Sequence, residues 1–334
     1  MDPITQGVLG AALPASTAGA RQTRTAAVVG FLAGMAADLD VLIRSPTDSL
    51  LFLEYHRQFT HSLVFIPIGG FLVAALFFLC LRRWLSIGFT RLWLFSALGY
   101  GTHGLLDAAT SYGTQLFWPF SDQRIAFSIV SVVDPLYTVP ALGLVLVAFV
   151  RKNRRWARLA MVWMACYLAV GAYRHHEAKA LAEALARQRG HAAIRLEVKP
   201  TFANLVVWRS VYEADGRFYV DGVRPGFAAP IIEGTSIAKL DVARALPWLD
   251  PGSQQARDID RFSRFSDGFV AAADGDEARI IDVRYAFLPN QIAPLWSIRL
   301  DRSAPPSAHV RFETHRDDAR GNLRALTAMA FDWR

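Results

Sequence analysis

Six apolar segments of nearly bilayer-spanning length dominate the first half of the chain, and they limit its possible folds more than any other feature. A helix needs about 20 apolar residues to cross a bilayer, and the first and fifth segments are on the short side of that length. The segments cover approximately 4–20, 25–43, 62–81, 91–110, 135–150 and 158–174. We therefore predict a membrane α-helical bundle of five to six spans at 1–174.

The second half of the chain has the mixed texture of a soluble domain. Residues 175–191 have a helical pattern and predict a connecting helix that leaves the membrane. Further on, LVVWRSVYEADGRFYVDGV and FVAAADGDEARIIDVRYAF each place β-rich runs around an Asp-Gly pair, which is a hairpin signal. PLWSIRLD and AHVRFETH supply further strands. We expect a soluble, mostly antiparallel β domain at 192–334.

The net charge of +7 could indicate nucleic-acid binding, but the basic residues group at the ends of apolar segments. That placement is typical of membrane orientation signals, so we predict a lipid bilayer partner and no nucleic acid. Arg21, Arg24, Arg82, Arg83, Arg91 and the run 151–158 then lie on the cytoplasmic side. The same loop count puts the second half of the chain outside. No cleavable signal peptide is evident, and Cys80 and Cys166 fall inside apolar segments, where small buried side chains explain them.

Ionisable residues of the first half all fall on the predicted outer side, and these residue types bind metal ions. His103 and Asp107 lie four residues apart on the polar stripe of the fourth segment. Each ionisable group in a span costs at least about 2.5–3.5 kcal/mol, which metal coordination can recover. Asp38 and Asp40 end the second segment, and His56 and His61 follow in the next loop; all six suit zinc or a similar divalent ion, one or two in number.

Each of these residues also has an ordinary explanation. His103 and Asp107 could be a hydrogen-bonded pair that joins helices, Asp38 and Asp40 a solvated helix end, and the two loop histidines interfacial residues. Their shared location on one face of the membrane favours a site. Gln6, Arg124 and Asp134 are further candidates for contacts around the metal or with substrate, although Arg124 could anchor a loop and Asp134 could begin a span. His191, His309 and His315 have no partner at useful spacing.

The motifs MDPITQGVLG, AGMAADLDVL, YHRQFTHSLVF, GTHGLLDAATSYGTQLFWPFSDQR and VDPLYT resemble the YdjM/YbcI family of bacterial inner-membrane proteins described as metal-dependent hydrolases. The resemblance covers about residues 1–140, and the second half is similar to an extension carried by some members. It implies metal ligands at Asp38, Asp40, His56, His61, His103 and Asp107, and a location in the bacterial inner membrane. The family's opening motif usually reads Asp-Pro-hydrophobic-Thr-His, whereas this chain has Gln6 in place of the histidine.

We therefore expect a multi-pass inner-membrane hydrolase with a periplasmic C-terminal domain. Its divalent metal, expected to be zinc, would activate water against an ester or phosphoester, and Asp38 or Asp40 would be the general base. A site at the membrane boundary favours an amphipathic or lipid substrate, and a distant similarity of the family to zinc phospholipase C proteins points the same way. The alternative is a non-enzymatic protein with a structural metal or polar cluster and a partner-binding outer domain. A transporter is disfavoured because the charges form no chain across the bilayer.

Overall fold

The computed structural model describes residues 1–81, 87–316 and 319–331. Arg82 and Arg83 of the predicted cytoplasmic clusters lie outside these described residues. The chain divides into two compact units. The helical unit comprises Met1–Leu42, Tyr55–Tyr173 and Phe202–Asn204, and the sheet unit comprises Ile43–Glu54, Arg174–Thr201 and Leu205–Arg334. Ile43–Glu54 belongs to the sheet unit, although its position in the sequence between two apolar segments did not predict this.

Long helices follow the predicted apolar segments one for one. They are α1 Pro3–Thr17, α2 Thr23–Ala36, α4 Ile66–Leu81, α5 Phe89–Ala109, α6 Pro135–Arg151 and α7 Arg154–Gln188, with the short α3 Leu51–Tyr55 between α2 and α4. Three 3₁₀ turns, Ala37–Leu42, Phe59–His61 and Leu63–Phe65, extend or connect these helices. The last long helix runs for 35 residues without a break, so the predicted connecting helix continues directly from the sixth apolar segment.

The described residues contain fewer clear spans than the five to six that the sequence predicts. Three stretches are long and apolar enough to cross a membrane: Thr23–Leu42, Leu63–Cys80 and Arg154–Gln188. The first predicted segment is not among them because α1 has only 15 residues. A further helix, α6, is apolar but only 17 residues long, and α5 has 21 residues but carries the polar stripe with His103 and Asp107.

Glycines bring α1, α2 and α5 into close contact. A Cβ atom placed on Gly30 of α2 would lie 2.2 Å from the carbonyl oxygen of Gly10 in α1, and one on Gly99 of α5 would lie 2.6 Å from the oxygen of Gly30. A Cβ on Gly34 would lie 2.6 Å from the oxygen of Gln6. Gly30 and Gly34, four residues apart on α2, therefore permit close helix approach.

Arginine side chains tie helix ends together at the end of the bundle away from Asp107. Arg24 Nε donates to the carbonyl oxygen of Phe149 at 2.9 Å, and Arg158 Nε donates to the carbonyl oxygen of Ser16 at 3.1 Å. These contacts join the end of α1, the start of α2, the end of α6 and the start of α7. The last carbonyl groups of a helix have no partner within it, so the arginines satisfy exposed acceptors there.

The sheet unit contains two four-stranded antiparallel sheets. The first has the order β1-β2-β3-β4, and the second the order β5-β6-β7-β8. The strands are β1 Arg195–Pro200, β2 Trp208–Ala214, β3 Arg217–Val223, β4 Ile231–Ala238, β5 Val270–Ala273, β6 Asp276–Asp282, β7 Trp296–Arg299 and β8 Arg311–Thr314. Asp215 and Gly216 both have positive φ between β2 and β3, so the predicted Asp-Gly hairpin is confirmed.

The remaining elements of the sheet unit are helices α8 Val242–Ala245, α9 Gln254–Phe265 and α10 Ala319–Phe331. Its core joins the two sheets. Apolar side chains from both form one buried cluster: Val211, Phe218, Val220, Ile237, Phe269, Ala271, Ile281 and Val283.

In the helical unit, one expectation is wrong: Cys80 and Cys166 are unpaired and exposed on the surface of the protein, so burial does not explain them.

Candidate metal centre

Three elements present the predicted ligands at one end of the helical unit. The chain changes from α-helix to 3₁₀ turn at Ala37, and this turn carries Asp38 and Asp40. The loop that follows supplies His56, and the 3₁₀ turn Phe59–His61 ends on the second histidine. His103 and Asp107 occupy the last two turns of α5, on one face of the helix.

Four of the predicted residues form a compact set of ligands. One nitrogen or oxygen atom from each of Asp38, His61, His103 and Asp107 lies within 4.8 Å of all the others. Asp38 Oδ1 is 3.3 Å from His103 Nε2 and 3.5 Å from His61 Nε2, and Asp107 Oδ2 is 3.3 Å from His61 Nε2. Tetrahedral ligands at zinc-like bond lengths of about 2.0–2.1 Å are separated by about 3.3 Å. The spacing therefore fits one four-coordinate ion.

Three atoms of this set are buried and lack a hydrogen-bond partner. They are His61 Nε2, His103 Nε2 and Asp107 Oδ2, in the part of the chain that the structure describes. A buried polar atom without a hydrogen bond is costly, so several such atoms facing one another require a compensating interaction. A cation bound between two imidazole nitrogens and a carboxylate oxygen would supply it. The donor set therefore fits a divalent metal.

Hydrogen bonds at the other ring nitrogens direct both Nε2 atoms toward this position. His103 Nδ1 is 2.5 Å from the carbonyl oxygen of Gly34, which can only accept, so the proton of the neutral ring is on Nδ1. His61 Nδ1 is 3.2 Å from Asp40 Oδ2. A neutral imidazole that donates from Nδ1 keeps a lone pair on Nε2, as a metal ligand requires.

Asp40 connects the loop to the cluster through several donors. Its carboxylate accepts hydrogen bonds from the Arg57 amide at 3.1 Å and from Thr60 Oγ1 at 2.8 Å, and His56 Nδ1 lies 2.8 Å from it. Together with His61, four groups therefore surround one buried carboxylate. Asp38, Asp40 and His56 also form a second, more exposed set of possible ligands. The contacts of Asp40 suit a group that holds histidines in place.

Gln6 and Arg57 contact the Asp107 carboxylate from two sides. Gln6 Nε2 donates to Asp107 Oδ1 at 2.9 Å, and the Met1 amino group lies against the same oxygen. Arg57 Nε is 3.0 Å from Oδ2. Gln6, which replaces the family's histidine, thus lies beside the Asp107 carboxylate, and its amide can orient that carboxylate. The contact between Arg57 and Asp107 was not predicted from the sequence, although Arg57 lies between the predicted ligands His56 and His61 in the motif YHRQFTHSLVF.

Three carboxylates, those of Asp38, Asp40 and Asp107, lie close to the His61 ring. Burial lowers the pKa of the His61 imidazole, but in the metal-free site hydrogen bonds with the carboxylates of Asp107, Asp38 and Asp40 outweigh burial and raise that pKa to about 10, so a bound metal would displace the proton from Nε2. The same carboxylates would attract a metal cation to the position between the ligands.

Two other predicted residues have local structural contacts. Arg124 Nη1 donates to the carbonyl oxygens of His56 and Gly113, which supports the loop behind the cluster. Asp134 caps α6 by accepting from the amide of Tyr137 and also accepts from the Tyr167 hydroxyl at 2.8 Å. Among the described residues, the contacts of Asp134 therefore indicate that it stabilises the start of α6 and does not contribute to the metal site.

The comparisons with known proteins identify the family. Residues 1–178 match the family described as YdjM inner membrane protein, and the match includes every residue of the cluster. The chain belongs to the YdjM family. The matched region ends within α7, before the first strand of the sheet unit.

Two curated relatives match this chain over different lengths. The chain is 38% identical to "Inner membrane protein YbcI" of Escherichia coli over 97 residues, which cover 28% of this chain and 54% of YbcI. It is 22% identical to "Uncharacterized protein YfhP" of Bacillus subtilis over 271 residues, which cover 78% of this chain and 77% of YfhP. No solved structure matches. The second alignment is long enough to include part of the sheet unit.

Proposed function

We propose that this inner-membrane protein is a metal-dependent hydrolase. Its substrate is an ester or phosphoester with an amphipathic, lipid-like structure, and the metal is zinc. One observation carries the proposal: three buried ligand atoms without a hydrogen bond face one another beside a fourth ligand, the Asp38 carboxylate, whose side chain is 22% exposed. A catalytic metal site needs strong protein ligands together with one side that water and substrate can reach.

Each residue of the cluster has a separate role in the proposed reaction. His61, His103 and Asp107 hold the ion, and Asp40 fixes the first of these rings. Gln6 orients the ligand carboxylate through its other oxygen. Asp38 lies at the accessible edge, where its oxygen can complete the coordination or accept the proton of an attacking water molecule. We assign the general base to Asp38 because donors already surround the carboxylate of Asp40.

A divalent ion held by His61, His103 and Asp107 would supply Lewis-acid chemistry for the activation of water and substrate. The guanidinium group of Arg57 offsets part of the negative charge of the carboxylates around it. A substrate with an apolar tail can leave the tail in the lipid while its polar head reaches the ligands at the end of the bundle.

We also propose that α1, α5 and α6 complete a six-helix membrane bundle, with the cluster near the periplasmic surface and the sheet unit in the periplasm. Support comes from the two ends of the bundle. Arg24 and Arg158 lie at one end, as cytoplasmic residues should, and His103 and Asp107 lie toward the other.

Metal analysis of a His103→Ala variant tests the function. The purified parent protein should contain bound zinc and hydrolyse an ester or phosphoester in a panel of short-chain and lipid substrates. The variant should lose about 90% of both, since it lacks a central ligand. Ser96→Ala is the matched control, because Ser96 is also buried on α5 and its hydroxyl has no hydrogen bond among the described residues. Full zinc content in His103→Ala would refute the ligand assignment.

The four-ligand set also favours a second candidate, a structural metal site, because closed four-ligand sites are typical of structural zinc. In that case the sheet unit would bind a partner and there would be no hydrolysis. Removal of the ion with a chelator separates the two functions. A hydrolase loses activity and retains most of its thermal stability, whereas a structural site loses stability as the ion leaves.

A further inference from the structure

A second candidate site lies in the sheet unit, in a cavity of about 540 Å³ on the solvent side of α9. Its lining is mostly charged and includes three arginines and a histidine. The lining residues are Asp48, Gln254, Arg257, Asp260, Arg261, Arg264 and His309. The volume is within the range of small-molecule sites, about 300–1,000 Å³.

A buried carboxylate fixes the histidine of this cavity. Asp258 is fully buried, and its Oδ2 lies 2.9 Å from His309 Nδ1 while also accepting from the Val310 amide at 3.1 Å. Its Oδ1 accepts from Gln254 and Arg261. Since a carboxylate accepts the Nδ1 proton, the Nε2 atom of a neutral ring carries the lone pair, and Nε2 forms no hydrogen bond within the described residues. The ring is therefore pre-oriented with one polar atom free.

One arginine of the cavity has its charge matched by neighbouring acids. Arg261 donates to both oxygens of Asp48, at 2.8 and 3.1 Å, and to Asp258 at 2.8 Å. Glu54 accepts from its Nε at 2.6 Å. This guanidinium is a rigid part of the wall, and its charge is not available to a ligand.

The charges of the other two arginines of the cavity are not matched by an acidic partner in the described part of the chain. Arg257 is positioned by neutral acceptors only, the carbonyl oxygen of Gly252 at 2.8 Å and the side-chain oxygen of Gln254 at 2.9 and 3.1 Å. Arg264 is exposed and forms no ion pair in the described part of the chain. Two free guanidinium groups thus face the cavity with a single unpaired acid, Asp260, beside them.

We propose that this cavity binds a phosphoryl anion. Guanidinium groups bind phosphate through paired, charge-assisted hydrogen bonds, and the Nε2 lone pair of the pre-oriented imidazole accepts a hydrogen bond from a P–OH group. Arg257 and Arg264 bind the unprotonated oxygens of the anion, and His309 Nε2 accepts from the hydroxyl group of a monoprotonated phosphoryl group. The phosphoryl group belongs either to a lipid headgroup or to a soluble phosphate. This site shares no residue with the metal centre, so the two proposals stand or fall separately.

Calorimetric titration of the full chain in a neutral detergent tests the site, after the metal has been removed with a chelator and the chelator dialysed away. The probes are inorganic phosphate, glycerol 3-phosphate and dihexanoylphosphatidic acid. We expect saturable binding that Arg257→Gln and Arg264→Gln each weaken about ten-fold, because each removes charge-assisted hydrogen bonds. Arg217→Gln removes an exposed arginine from β3 of the same unit and should leave binding unchanged.

The probes also distinguish the two sources. Tighter binding of the lipid than of glycerol 3-phosphate, lost in both cavity variants, supports a headgroup site, and equal binding supports a soluble phosphate. Absence of saturable binding by all three probes would overturn the proposal. It would also be overturned by cavity variants that bind like the parent, or by an Arg217→Gln variant that binds as weakly as they do.

Discussion

At the scale of single residues, the function of a carboxylate in the centre depends on how many donors already surround it. Asp38 and Asp40 are two positions apart, yet they have different surroundings. Asp38 approaches the Nε2 atoms of both histidines from the accessible edge. Asp40 is buried and receives donors from His56, His61 and the loop backbone. Sequence spacing alone cannot distinguish these environments, because they arise from the 3₁₀ turn and the loop that packs against it.

An Asp40→Asn substitution should weaken zinc binding about 10- to 100-fold, which is the usual effect of losing a carboxylate that orients a metal-bound histidine. The asparagine has nearly the same size but no charge, so His61 is no longer held in the required tautomer. Affinity can be measured by competition with a chromogenic chelator. Asp122→Asn, on an exposed loop, is the matched control. Unchanged affinity in the Asp40 variant would show that its contacts do not support the ligands.

At the scale of elements, the glycine contacts determine how close the helices that carry the cluster can lie. Gly10, Gly30 and Gly99 place the backbones of α1, α2 and α5 against one another with no side chain between them. This brings Gln6, the end of α2 and the end of α5 to one place. Close packing of this type is how membrane helices associate when hydrophobic burial provides no driving force between them.

A Gly30→Ala substitution should therefore destabilise the protein by about 1–3 kcal/mol, the usual cost of forcing extra atoms into a packed interface. The added Cβ would lie 2.2 Å from the backbone oxygen of Gly10, so α1 and α2 must move apart. Gly143→Ala in α6 is the control, since a Cβ there has no neighbour within 4 Å. Thermal unfolding in detergent should show a lower midpoint for the first variant only. Equal midpoints would mean that the close approach is not needed for stability.

At the scale of the whole molecule, the sequence predicted most of the architecture because the signals were local. Apolar runs predicted the helices, and Asp-Gly pairs predicted the hairpins. The place of Ile43–Glu54 in the sheet unit was missed, because it depends on packing between distant parts of the chain. Helix was predicted on both sides of residue 174, but the sequence did not show that α7 continues through it without a break. The candidate site behaved similarly: its residue types were evident, but the contact between Arg57 and Asp107 joins positions 50 residues apart.

The proposed orientation of the whole chain can be measured by cysteine labelling of intact cells. In a background with Cys80 and Cys166 replaced by alanine, Asp274→Cys in the sheet unit should react with a membrane-impermeant maleimide. Arg155→Cys at the start of α7 should react only after the membrane is permeabilised. Both positions are exposed, so access to reagent decides the result. The reverse pattern would place the sheet unit in the cytoplasm.

The unequal exposure of the ligands has a consequence for inhibition. Three ligands are buried and only the Asp38 carboxylate reaches the protein surface, so an ion between them has a single direction of approach. If the proposed hydrolase function is correct, chelators and slowly reacting substrate analogues use the same opening and exclude one another kinetically. Saturating analogue should therefore slow the rate at which a chelator extracts the ion.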